Sequence, residues 1–332
     1  MQTRRLGKDG PQVSALGYGA MSFTDFYGPT DEAESHAILD LAMETGVTHL
    51  DTSNVYGMGR SESVIGAYLH ARPEARDFFS IATKAGIATD AQGRRAPDNS
   101  LAHLEAELDK SLKRLGVECV DLFYVHRRQV DMPIEAVTEG LATLVAKGKT
   151  RGIGFSEIAP TSLARAHAVH PVAAVQSEYS LSTRAPELGL VQTCAALGTT
   201  LVAFSPVGRS LLTDTPLGLD AIADIGFLRD NPRFQEPNYS ANIAASDRLR
   251  RLARDMGEPT PALAIAWLLT RGDHVLPIPG TRSPAHFRAL LRGAELTLSQ
   301  GDLDAIERAL PVGWTHGDRY GDAYWTGVER YC

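Results

Sequence analysis

Asp31-Glu32-Ala33-Glu34-Ser35-His36-Ala37-Ile38-Leu39-Asp40-Leu41-Ala42, followed after Gly46 by Val47-Thr48-His49-Leu50-Asp51, is where the fold can first be read. Ile38, Leu41 and Ala42 recur at helical spacing, Thr30 or Asp31 can cap the start, and Gly46 can end the last turn. The run after Gly46 is short and rich in β-formers, and it reads as a strand. Another strand-like run, around residues 16–21, precedes the helix. The unit is therefore strand–helix–strand, which implies parallel pairing through a right-handed crossover.

The same alternation continues outward. Strand-like runs recur near residues 79–83, 120–126, 151–156, 173–176, 200–205 and 274–279. Between them, Leu101, Leu104, Leu108, Leu112 and Leu115 make a helical stripe closed by Gly116. Ile134, Val137, Leu141, Leu144 and Val145 make another, with Pro133 at its expected first helical position. Eight such units in one chain predict a single (β/α)8 barrel domain over 1–332; an open doubly wound sheet is the structural alternative. Two features break the repeat. Gln2 to Leu6, Lys8-Asp9-Gly10 and Val13 to Leu16 predict a small N-terminal β-hairpin. Residues 208–246, rich in Gly, Pro and Asp, read as a long loop at the catalytic face, serving substrate or cofactor.

Composition narrows the class. The chain has 332 residues, 43% hydrophobic and 22% charged, with a net charge of −7 and no basic block. Nucleic acid is not an expected partner. No stretch approaches the ~20 apolar residues that span a bilayer, and no apolar run follows Arg4-Arg5, so neither a membrane span nor a signal peptide is expected. Cys119, Cys194 and Cys332 show no metal-ligand spacing and are expected to be free thiols in the cytoplasm. No His/Asp/Glu/Cys set suggests a metal. Gly17-Tyr18-Gly19 and Gly152-Ile153-Gly154 lack the third glycine of a dinucleotide fingerprint.

Barrel enzymes carry their chemistry at the C-terminal ends of strands. There the sequence offers Asp51 with Tyr56 five residues on, then Lys84, then His126. A carbonyl that receives hydride leaves negative charge on oxygen, which must be protonated. A tyrosine can donate that proton if a nearby lysine ammonium stabilises the phenolate and an aspartate holds the lysine. A histidine can hydrogen-bond the carbonyl oxygen and orient it. Taken singly, these residues have other uses: a strand-end cap, a packing ring, a snorkelling lysine and a rim hydrogen bond. Their placement after consecutive strands joins them.

Asp51-Thr52-Ser53-Asn54-Val55-Tyr56-Gly57, Ala82-Thr83-Lys84-Ala85-Gly86 and Tyr124-Val125-His126-Arg127 resemble the three segments that carry the catalytic tetrad of the aldo-keto reductase superfamily. The resemblance implies NADP(H) as cofactor, lying across the barrel mouth, and Tyr56, Asp51, Lys84 and His126 as the tetrad. Gly154-Phe155-Ser156-Glu157 and Ala174-Val175-Gln176-Ser177-Glu178-Tyr179 are similar to segments that hold the nicotinamide carboxamide. This implies cofactor contacts from Ser156, Glu157 and Gln176, with Asp51 also near the cofactor. In the barrel reading Gly19 and Met21 lie at the end of strand one, where a missing side chain lets cofactor or substrate approach closely. In the segment Ala203-Phe204-Ser205-Pro206-Val207-Gly208-Arg209, Phe204 takes the place of a tyrosine that stacks on the nicotinamide.

Gly280, Thr281, Arg282, Ser283 and His286 match the loop and helix start for the adenosine 2′-phosphate, where helix N–H groups suit an anion. His286 stands where Arg, Asn or Gln is common. Ala289 and Leu290 replace polar residues that contact adenine, which implies a less polar adenine pocket. Asp230-Asn231-Pro232-Arg233-Phe234-Gln235 and His167-Ala168-Val169-His170-Pro171 resemble the perakine-reductase-like branch.

The expectation is an NADPH-dependent reductase of small-molecule aldehydes or ketones, with the reverse direction open. Phe23, Tyr56, Tyr124 and His126, with Phe26, Tyr27, loop residues 88–100 and Trp314, are expected around the substrate; the aromatic ones could equally be packing residues. Two other functions fit the same residues. One is a Schiff-base aldolase using Lys84, although Asp51 would favour the charged lysine. The other is an NADP(H)-binding redox-sensing regulatory subunit. Oligomeric state is left open.

Overall fold

A computed structural model describes residues 1–89 and 92–330. Asp90 and Ala91 of the expected loop 88–100, and Cys332, lie outside the described residues. Eight strands run parallel in chain order: Tyr18–Gly19, His49–Asp51, Ser80–Ala85, Leu122–Val125, Ile153–Ser156, Ala174–Glu178, Thr200–Phe204 and Val275–Pro277. They are called strands one to eight below. The two ends of the sheet meet: Gly17 N–H donates to Pro277 O and Gly19 N–H to Pro279 O, each at 2.9 Å. That seam closes the barrel and excludes the open doubly wound sheet.

Helices form where the periodicity places them. Asp31 accepts a hydrogen bond from Glu34 N and starts helix Glu32–Thr45, which Gly46 ends in the left-handed conformation at φ 77°. Ser100 and Gly116 do the same for helix Leu101–Leu115. Pro133 is the residue before helix Ile134–Ala146, one place earlier than expected, with an extended ψ of 134°. The predicted hairpin pairs Thr3–Arg5 with Gln12–Ser14.

Alternation along each strand separates two cores. Leu50, Ile81, Phe123, Val175 and Leu201 face the helices in the main core. Ala82, Leu122, Tyr124, Ala174, Val202 and Leu276 fill the barrel interior, where Leu6 and Val13 of the hairpin join them and plug the N-terminal end. Burying side chains of this size stabilises by about 1.5–3 kcal/mol each, so outside packing and plug together hold the strands in register.

The seam leaves no room for side chains. A Cβ on Gly280 would lie 2.3 Å from Gly19 O, and one on Gly19 would lie 2.8 Å from Ile278 O. Gly19 therefore lets strand one approach strand eight, a different reason for glycine from the expected approach of cofactor or substrate. Gly280→Ala should open the seam and lower stability by about 2–3 kcal/mol, measurable as a shift in urea midpoint at unchanged slope.

The stretch 208–246 is not a loop. It folds into short helical pieces, Gly208–Ser210, Leu219–Asp224, Gly226–Arg229 and Pro232–Phe234, and the start of helix Asn238–Met256. Leu211, Ile222, Ile225, Leu228, Phe234 and Tyr239 give it a small core of its own. Glycine, proline and aspartate here set the breaks between short helices, a use that composition alone cannot tell from a loop.

Candidate active site

Inward parity brings the polar residues together. In strands two, three and six, Asp51, Lys84 and Gln176 share interior parity: Asp51 pairs with interior Ala82, and Lys84 and Gln176 lie two residues beyond interior Ala82 and Ala174. Lys84 is fully buried. Its Nζ donates to Asp51 Oδ1, to Thr52 O at 2.7 Å, and to the Tyr56 hydroxyl at 3.4 Å. Gln176 Nε2 donates to the other Asp51 oxygen at 2.7 Å. Tyr56 enters a turn, its N–H bonded to Ser53 O at 3.1 Å, that lowers the half-buried ring over Lys84 Nζ at 5.0 Å. Burial alone would lower the Lys84 pKa, but Asp51 and Tyr56 outweigh it and hold it above the usual lysine value.

His126 follows strand four, with its ring 5.9 Å from that of Tyr56 at a steep angle of 81°. Its Nδ1 lies 3.1 Å from Ser53 Oγ. Burial first, then the charges of Arg127, Lys84 and Arg95, push its pKa well below the ordinary histidine value, so it is neutral at about pH 7. All four tetrad positions therefore meet at one mouth. Sequence reasoning left Ser53 without a role, although its place two residues after Asp51 put it in the same turn.

Other expected positions fall elsewhere. Phe23 is 1% exposed and stacks on Tyr18 at 5.2 Å, inside the helix-side core instead of at the mouth. Tyr124 is fully buried in the barrel interior beneath Lys84, as the alternation of strand four requires. Trp314 is in the core, with Nε1 donating to Leu181 O at 2.7 Å. Leu290 also packs in the core, and Ala289 is half-buried beside it. Met21 lies in a short 3-10 turn, Ala20–Phe23, beyond the end of strand one. Phe26 and Tyr27 do reach the rim, where Phe26 meets Phe227 of the insertion at 5.5 Å.

Strands five to seven end in strained backbone and buried charge. Glu157, Ser205, Arg209 and Ser210 all have positive φ, rare for residues with side chains and a mark of functional regions. Arg209 donates to Glu178 at 2.6 Å, and Arg233 and Arg319 face the same carboxylate at 3.4 and 3.7 Å. Arg319, in the C-terminal tail, also pairs with Glu157, whose other oxygen accepts from Glu178 N at 2.8 Å. The Glu157 and Arg209 side chains are thus engaged with protein groups. Burial would raise the Glu178 pKa, yet the three arginines hold it below the usual carboxylate value.

A depressed native pKa means that the stabilisation exists above the unfolded value and is lost as pH falls through the native one. Glu178→Gln should cost about 3–5 kcal/mol at neutral pH, because buried Arg209 and Arg233 lose their counter-ion while Arg319 keeps Glu157. Below about pH 4.5 the gap between the variant and the parent should narrow, visible in melting temperatures across a pH series.

At the far side of the seam, the loop after strand eight leads into helix Pro284–Gly293, whose cap Ser283 accepts from His286 N. Thr281 O accepts from Tyr18 Oη at 2.6 Å, which anchors the loop. Arg282 donates to Tyr27 O at 2.9 Å and to Pro29 O, so the turn after strand one is clipped over this loop. A helix start, an arginine and the exposed His286 form a donor set suited to a phosphate. Phe204, half-exposed at the end of strand seven, continues to Ser205-Pro206-Val207-Gly208, a turn closed by Gly208 N to Ser205 O at 2.9 Å. Its open ring fits a planar group, and Ser156, with its hydroxyl on Arg127, borders the same mouth. These residues fit an NADP(H) molecule lying across the barrel.

Fold and mouth together define a barrel enzyme whose chemistry sits at the C-terminal ends of its strands. The Aldo/keto reductase family profile matches residues 15–311, and the chain belongs to that family. It is 35% identical over 322 residues to aldo-keto reductase yakc [NADP(+)] of Schizosaccharomyces pombe, covering 96% of this chain and 94% of the relative. It is 37% identical to probable aldo-keto reductase 1 of Glycine max, over 100% of this chain and 94% of the relative.

Among solved structures, the glycerol dehydrogenase AKR11B4 of Gluconobacter oxydans superimposes with a TM-score of 0.80 at 26% identity, over 93% of this chain and 94% of that one. The aldo-keto reductase AKR11C1 of Bacillus halodurans, in its holo form, gives 0.77 at 26% identity, over 97% and 99%. The chain is an NADP(H)-dependent oxidoreductase. No helix among the described residues is long and apolar enough to cross a membrane.

Proposed function

We propose that the protein reduces aldehydes or ketones to alcohols, with Tyr56 as the proton donor, and that the same site can run in reverse. One observation carries this reading: a buried Lys84, ion-paired to Asp51, sits 3.4 Å from the Tyr56 hydroxyl. NADP(H), when bound, supplies or accepts the hydride. Tyr56 gives its proton to the oxygen as charge develops there, and the Lys84 ammonium stabilises the phenolate left behind. Asp51 and Thr52 O hold Lys84 in place, and Gln176 holds Asp51. Neutral His126, braced by Ser53, donates to the carbonyl oxygen without competing for the proton.

The same electrostatics speak against an aldolase, since a Schiff base needs a neutral lysine and Lys84 is held charged. A relative that is a glycerol dehydrogenase supports alcohol oxidation as a direction open to this barrel. Cytoplasmic work suits the free thiols of Cys119 and Cys194. The test is loss of reduced-nicotinamide absorbance with NADPH and a panel of aldehydes. Turnover across the panel is expected; tight NADPH binding with no turnover would favour the sensor reading.

A further inference from the structure

Among the described residues, six arginines are buried: Arg4, Arg127, Arg128, Arg209, Arg233 and Arg250. Five face a carboxylate, provided by Asp273, Glu329, Glu178 (for both Arg209 and Arg233) and Asp247. Among the described residues, Arg127 forms no ion pair. Its Nη1 donates to His126 O at 2.8 Å and to Ser156 Oγ at 3.2 Å, and its buried Nε has no hydrogen-bond partner. The tail covers it closely: Arg128 N–H bonds Gly327 O at 3.0 Å, and Glu329 N bonds Glu157 O at 2.9 Å. Among the described residues, that tail brings a carboxylate, Glu329, to Arg128 at 3.0 Å and none to Arg127.

A buried charge without a counter-ion is costly, and its cost is relieved by an anion that enters the site. Arg95, on the hairpin after strand three, adds a second positive charge near Arg127. Burial and then the Arg127 charge depress its pKa, so the two guanidiniums oppose each other. Arg95 also lies 6.0 Å from the ring centre of Tyr324 in the tail.

The expected 2′-phosphate loop is not the source of the missing anion: it follows strand eight and Arg127 follows strand four, diametrically opposite in a ring of eight strands. The nicotinamide carboxamide is uncharged. What remains is the substrate, whose carbonyl must lie at His126, the residue before Arg127.

Resting on the reductase reading above, we propose that the physiological substrate is a carbonyl compound bearing a carboxylate, with Arg127 binding that carboxylate and Arg95 attracting it at the rim. A planar guanidinium with an unused donor matches a carboxylate better than a neutral polar group. Neighbouring rings in the tail, Tyr320 and Tyr324, stand beside the same arginines and favour a flat, aromatic spacer between the two groups.

The experiment compares 4-formylbenzoate with its methyl ester as substrates, in the parent, Arg127→Gln and Arg127→Lys. The parent should prefer the acid by about 10–100-fold in kcat/KM, the effect of one charge-assisted hydrogen bond. Arg127→Gln should bring that ratio to about one, mainly through KM. Arg127→Lys, which keeps the charge without the fork, should recover part of the preference. Equal use of acid and ester by the parent, or a preference that survives in Arg127→Gln, overturns the proposal and leaves the reductase reading intact.

Calorimetric titration of terephthalate separates the two readings if neither aldehyde turns over. Binding to the parent that is lost in Arg127→Gln supports the anion site while the reductase reading falls. Binding equal in both proteins, or absent from both, overturns the anion site.

Discussion

Tyr56→Phe should lower kcat for any accepted aldehyde by about 10²–10⁴-fold, the usual contribution of a placed general acid. The change removes one oxygen and keeps the ring that meets His126 edge-on. Lys84 loses its longest hydrogen bond, 3.4 Å, and keeps Asp51 and Thr52 O. Melting temperature should therefore move little, and NADPH affinity should stay within about twofold because the hydroxyl touches no predicted phosphate contact. His126 is held neutral by burial and by three surrounding cations, so it is a poor substitute acid. Single-turnover kinetics at saturating NADPH would isolate the step. A loss of less than about tenfold would move the proton donor to another residue.

Lys84→Met should abolish turnover and also cost about 3–5 kcal/mol of stability, because it leaves Asp51 charged and buried without its counter-ion. Asp51 is 1% exposed and would keep only Gln176. The informative comparison is the double variant Asp51→Asn with Lys84→Met. Removing both charges should restore most of the lost stability, as replacing a whole buried pair is often neutral, while activity stays absent. Urea midpoints for the two singles and the double would measure the coupling. A double variant as unstable as the sum of the singles would show that the pair is not coupled in the folded state.

The strand–helix repeat was open to reading because each strand is short and flanked by caps of fixed chemistry: Asp31 and Gly46, Ser100 and Gly116. All eight strands fall where the apolar runs lie. The stretch 208–246 misled because short helices and loops share the same breakers, and its small core depends on residues that meet only after folding. The sequence leaves Phe23, Tyr124 and Trp314 open between substrate and packing, and the fold takes them into the core. Parity decides this for Tyr124 within its strand, whereas Phe23 and Trp314 are placed by a turn and by the tail.

The tetrad was legible in the sequence because four polar residues ended four apolar or turn segments, and each needed a partner that the others could supply. Its supporting shell was not. Ser53 bracing His126, and Gln176 given to Asp51, are contacts across 73 and 125 residues of chain that no local pattern marks. Nor could the sequence tell Arg127 from Arg128, adjacent in the chain and identical in type. Local periodicity and capping chemistry set the order and parallel sense of the strands. Which arginine received a carboxylate, which ring faced the mouth and which charge was left without a partner were settled by barrel closure and by the tail folding back over strands four and five. Long-range charge pairing is a property of distances between segments, and those distances exist only once the chain has closed on itself.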